Sequence, residues 1–91
     1  MKYKLTRKLK SINYRVPKGY RLIEDWELLK LSREDKKIKS LLQDSYLLAN
    51  TVDGVRACRL YDFDSLSNFY AVGGFVNVNV VGLRGVLIKN E

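Results

Sequence analysis

The sequence predicts a single α+β domain, in which one strand precedes two grouped helices and several further strands follow. Three observations predict it. The chain has 91 residues, enough for one hydrophobic core. Its hydrophobic fraction of 46% beside 30% charged residues is that of an ordinary folded domain rather than a disordered one. The apolar spacing also changes along the chain, from a period of two to a helical one and back. Residues 1–91 are therefore read as one domain, without linker, repeat or low-complexity segment.

Lys2–Val16 alternates weakly through Tyr3, Leu5, Ile12, Tyr14 and Val16 and reads as a strand. Pro17-Lys18-Gly19 reads as a turn, since proline pre-sets φ and glycine accepts a positive one. A first helix is expected at about Ile23–Leu31, with Leu22, Trp26 and Leu29 on its inner face and Glu24 and Asp25 favoured by the helix dipole in its first turn. On this reading Trp26 is a core anchor. A second helix is expected to open at Ser32, with Asp35 three residues on as a capping-box partner. Ile38, Leu41, Leu42 and Ser45 define its inner face, and Lys36, Lys37 and Lys39 fall outside it as a solvated face.

From Tyr46 the pattern is that of strands. Leu47–Asn50 is short and apolar, Thr51–Gly54 a turn and Val55–Phe63 a strand. Asp64–Asn68 reads as a polar loop and Phe69–Val72 as a strand ended by Gly73-Gly74. Phe75–Ile88 alternates Val76, Val78 and Val80 with Asn77 and Asn79 before an apolar Leu83–Ile88. The small sheets so formed are expected to be antiparallel.

Composition narrows the function. There is no histidine and one cysteine, Cys58. Zinc-type sites and Ser-His, Cys-His or Asp-His catalytic pairs are excluded by inventory, and no metal or cofactor is expected. Cys58 sits in a strand-like stretch and reads as a small buried hydrophobe. No apolar run is long enough to span a bilayer, and the basic N-terminal segment lacks the apolar core of a secretion signal, so the expected location is the cytoplasm. An enzyme is not expected; the acids Asp62 and Asp64, two apart, are the residual candidates for carboxylate chemistry.

Charge is uneven. Residues 1–40 hold 13 Lys/Arg against 5 Asp/Glu, and residues 41–91 hold 4 against 5. A basic front half can be a solvated shell, or it can meet an anionic partner. The second possibility defines an alternative function, nucleic-acid binding through Lys2, Lys4, Arg7, Lys8, Lys10, Arg15 and Lys18, with Tyr3 and Tyr14 for stacking.

The most informative feature is a depletion. Residues 55–88, 34 in all, contain no Lys, Glu, Gln, Met or Trp, whereas residues 1–54 contain 15 of these, a rate at which about nine would fall in the later stretch. Strand burial removes Lys and Glu, yet Arg56, Arg59, Asp62, Asp64, Asn68, Asn77, Asn79 and Arg84 remain. Asparagine codons ending in a pyrimidine, randomised at their adenines, reach every residue type from Tyr61 to Arg84 and none of the missing five. The aromatics Tyr61, Phe63, Phe69, Tyr70 and Phe75 lie among short polar residues, a mixture of rigid contact area and adaptable hydrogen bonding that suits a binding face.

Two stretches carry a family resemblance. Gly19-Tyr20-Arg21-Leu22 with Trp26-Glu27-Leu28-Leu29 resembles the G-x-R-L-P-T-x-x-E-W-E segment of C-type-lectin-fold domains of the formylglycine-generating type, and Gly82-Leu83-Arg84-Gly85-Val86-Leu87 resembles their G-F-R-V ending. The Lys-free stretch between them is similar to the variable region of diversity-generating-retroelement variable proteins, whose archaeal members share the compact size. The chain departs from the pattern at Ile23-Glu24, where Pro-Thr is usual, and in lacking Gly-Gly-Ser-Trp, of which Gly73-Gly74-Phe75 is the nearest counterpart.

The resemblance implies a C-type lectin-like fold with paired terminal strands and two bracing helices. It also implies a variable ligand-binding region at about residues 59–84, and a protein or other macromolecular ligand for a monomeric binder. The expected displayed positions are Tyr61, Asp62, Phe63, Asp64, Asn68, Tyr70, Phe75, Asn77 and Asn79. The Glu-Pro-Asn and Trp-Asn-Asp motifs of calcium-dependent lectins do not occur.

Overall fold

A computed structural model of the chain describes residues 2–9, 13–60, 66–69 and 83–90. In chain order they form β1 (Lys4–Leu5), β2 (Tyr20–Leu22), α1 (Asp25–Glu34), α2 (Lys36–Asp44), β3 (Leu47–Thr51), β4 (Gly54–Leu60), β5 (Leu66–Phe69) and β6 (Arg84–Lys89). This is the α+β order, with two grouped helices and the first and last of these strands paired. The strands make one sheet in the order β1-β6-β3-β4-β5, and β2 pairs with β6 as well.

Strand β6 is the hub. Leu87 stands opposite Lys4 of β1 and opposite Leu22 of β2, so the two strands flank it on opposite edges. Further along, Leu47 and Leu48 of β3 pair with Arg84 and Gly85 in parallel. The sheet is therefore mixed where antiparallel pairing alone was expected, because β3 follows the helical pair and runs in the direction of β6. Ile23 fills the wedge where β3 leaves β6: its N–H donates to Val86 O at 2.9 Å and its carbonyl accepts from Asn50 N–H at 2.8 Å.

Each sheet face has its own core. On one face Leu28, Leu31, Ile38 and Leu42 of the helices pack with Ile23, Leu47, Ala49, Cys58 and Val86. On the other, Leu22, Leu48, Ala57, Leu83 and Leu87 are covered in part by Tyr14, Val16, Tyr46 and Val55. Consecutive residues of β3 and β6 thus enter opposite cores, the period-two consequence of a strand buried on both sides.

The turns follow their residue chemistry. Gly19 (φ +90°) and Gly54 (φ +103°) take the left-handed conformations that the turns after Pro17 and Thr51 require. In the second turn the Thr51 hydroxyl donates to Gly54 O at 2.8 Å and accepts from Asp53 N–H at 3.1 Å.

Helix α1 corrects the expected register. Ile23 is extended, Glu24 is the N-cap, and the helix begins at Asp25. Its buried stripe is Glu27, Leu28, Leu31 and Ser32, which leaves Trp26 65% exposed rather than anchoring the core. The physical reason is tertiary: β3 and β6 recruit the Ile23 backbone, and the delayed start turns Trp26 outward. Ser32 does not cap α2 either. It lies within α1 and donates to Leu29 O at 2.6 Å. Asp35 is the cap, its Oδ1 accepting from Lys37 and Ile38 N–H at 2.9 and 3.2 Å. The inner face of α2 is as expected, with Ile38, Leu42 and Ser45 buried, Leu41 half-buried and the three lysines exposed.

Three strand expectations change in extent. The first strand is confined to Lys4–Leu5 with an isolated bridge from Leu9 to Leu83. β4 spans Gly54–Leu60, and Tyr61–Phe63 lie outside the described residues. Leu66, Ser67 and Asn68, expected in a loop, belong to β5 because they complete an antiparallel pairing with β4.

Candidate functional site

The described residues define a frame for the expected variable region, about residues 59–84, which takes in the end of β4, all of β5 and the start of β6. Leu47 of β3 is in register with Cys58 of β4 on one side and with Arg84 of β6 on the other. The end of β4 and the start of β6 therefore lie on either side of a single strand. Tyr46, just before β3, touches both ends: its carbonyl accepts from Arg84 N–H at 3.2 Å, and the Arg59 guanidinium sits over its ring at 5.8 Å. Arg59 also donates to Gln43 O at 3.1 Å, which ties the end of β4 to the end of α2.

Of the expected displayed positions, Asn68 is in β5, its backbone in register with Cys58. Tyr61, Asp62, Phe63, Asp64, Tyr70, Phe75, Asn77 and Asn79 lie outside the described residues. Cys58 is fully buried, and burial pushes its thiol up to about 12, with the charge of Asp25 adding to the effect. Among the described residues no group of three or more Cys, Asp or Glu is placed to hold a metal ion, and no helix is long and apolar enough to cross a membrane.

A second feature lies at the other end of the sheet. Lys2, Tyr3, Lys4, Tyr20, Leu87 and Lys89 line an open cleft of about 150 Å³. Tyr20 pairs directly with Lys89 across β2 and β6, and the Lys4 ammonium lies 5.5 Å from the centre of the Tyr20 ring. Tyr3 is half-buried; its hydroxyl donates to Asp35 Oδ2 at 2.9 Å, tying β1 to the N-cap of α2. Burial and the Asp35 charge raise the Tyr3 pKa, and that hydrogen bond, with those from the α2 amides, lowers the Asp35 carboxyl.

Of the residues weighed for nucleic-acid binding, Lys2 and Lys4 enter this cleft. Arg7, Lys8, Arg15 and Lys18 are exposed elsewhere, Tyr14 packs partly into the second core, and Lys10 lies outside the described residues. Lys89 and Tyr20 were not singled out by sequence. They sit 69 positions apart and only the strand register joins them.

No protein-family model, no curated protein and no solved structure matches the chain.

Proposed function

We propose that the chain is a non-enzymatic ligand-binding module of the retroelement-diversified kind on a C-type lectin-like scaffold, its ligand a protein or other macromolecule. The observation that carries the reading is the hold of Tyr46 on Arg59 and Arg84, at the two ends of the expected variable region. A frame closed at the base of a stretch tolerates exchange within it, because two cores already form from residues on either side of it. Recognition then rests on a few aromatic anchors, Tyr61, Phe63, Tyr70 and Phe75, ringed by near-neutral contacts from Asp62, Asp64, Asn68, Asn77 and Asn79.

The test is a combined replacement. Exchanging Tyr61, Phe63, Asn68, Tyr70, Asn77 and Asn79 together for serine should leave the thermal transition nearly unchanged. Loss of the cooperative transition would overturn the proposal. The diversification itself is read in the encoding DNA, as a neighbouring near-duplicate of the segment for residues 61–84 that differs only at adenines, beside a reverse-transcriptase gene.

A further inference from the structure

The cleft between β1 and β2 concentrates three ammonium groups, those of Lys2, Lys4 and Lys89, and no acid lines it. Among the described residues none of the three forms a salt bridge, the pair found being Arg21–Glu27. Like charges gathered without a counter-charge raise the local potential, and an anion lowers it. Tyr20 adds an aromatic wall and Leu87 an apolar one.

The cations continue beyond the cleft. Lys2, Lys4, Arg7 and Lys8 are all exposed on one segment, and β1 is the edge strand of the sheet. Four exposed cations between Lys2 and Lys8 suit several successive phosphates rather than one ion. The exposed large apolar side chains among the described residues, Trp26 and Val52, lie on α1 and in the β3–β4 turn, away from this cleft. A membrane-binding face would set exposed large apolar side chains beside its cations, whereas Leu87 is buried. Aromatic surface beside a backbone-tracking row of cations is the combination used for single strands.

We propose that this cleft and the neighbouring cations Arg7 and Lys8 seat the phosphates of a single-stranded nucleic acid, with a base against Tyr20. No residue lining the cleft is among the displayed positions proposed above, and β5, which holds Asn68, is at the sheet edge opposite β1.

The experiment compares two variants of equal charge loss, Lys2→Gln/Lys4→Gln/Lys89→Gln in the cleft and Lys36→Gln/Lys37→Gln/Lys39→Gln on the exposed face of α2, each checked for an unchanged thermal transition. A short fluorescent oligothymidylate is titrated by anisotropy between roughly 50 and 200 mM salt. The cleft variant should bind at least about tenfold more weakly, and its salt slope should fall by about 0.7 for each phosphate it no longer neutralises. The α2 variant should stay within about twofold of the parent. Equal weakening in both variants would reduce the effect to net charge and overturn the proposal. So would an absence of binding at low salt, or tighter binding to phosphatidylserine vesicles than to the oligonucleotide.

Discussion

Arg21 of β2 grips Glu27 of α1 with both guanidinium arms, at 2.7 and 3.0 Å, and the same carboxylate accepts the Glu24 N–H at 3.0 Å. Glu27 is buried whereas the Arg21 side chain is 43% exposed, so the pair is screened from one side only. Arg21→Ala leaves a buried carboxylate short of its partner and should cost about 1–2 kcal/mol at neutral pH in chemical denaturation.

The pH dependence of the same ion pair has a definite sign. The Arg21 hydrogen bonds hold the Glu27 carboxyl below its ordinary value, against the opposing effect of burial. Its stabilisation is therefore complete above the ordinary carboxylate range and disappears as pH falls through the depressed value. In Arg21→Ala the acid limb of the stability curve should be shallower. An unchanged limb would show that Arg21 does not set it.

Trp26 faces solvent, and the chain contains no other tryptophan. Its fluorescence should be red-shifted and open to acrylamide quenching in the folded protein, with little further shift on unfolding. Trp26→Ala should change stability by no more than about 0.5 kcal/mol, against about 2–5 kcal/mol for the neighbouring Leu28→Ala, which empties a fully buried position.

The Cys58 thiol is buried and held protonated up to about 12. It should resist maleimide at neutral pH in the native protein and react fully in denaturant. Alkali above the ordinary thiol value should favour unfolding, since only the unfolded chain can ionise there. Rapid labelling of the native protein would contradict the burial.

Gly85 lies so close to β1 that an added Cβ would stand 3.1 Å from Thr6 Cγ2, while its N–H donates to Thr6 Oγ1 at 2.8 Å. Gly85→Ala should cost about 1–3 kcal/mol. Thr6→Ser removes the offending methyl and keeps the hydroxyl, so the double variant should be more stable than the two single costs summed, a coupling that a double-mutant cycle reads directly.

What could be read from the sequence depended on how local its cause was. The inner face of α2 was legible because Ile38, Leu41 and Leu42 follow a helical spacing that no other element overrides. The turns at Gly19 and Gly54 were legible because only glycine takes those backbone angles without strain. The start of α1 was not, since it is decided by Ile23 bonding to Val86 and Asn50, far along the chain. The cleft was half legible: Lys2 and Lys4 stood out as basic residues, whereas Lys89 and Tyr20 acquire a role only once Leu87 draws β1 and β2 to its two sides. Asn68 was expected in a loop because its neighbours are short and polar, and its strand state follows from pairing with Cys58.

The central position of β6 bears on synthesis. Three strands wait for it, two of them made before the helices, so a chain leaving the ribosome cannot complete its sheet until Arg84–Lys89 has emerged. That closure joins Lys4 to Leu87 and Leu5 to Val86, pairs far apart along the chain, and is slowed accordingly. A variant that cannot seat β6 would be left with β1 and β2 unzipped, in a form open to proteolysis.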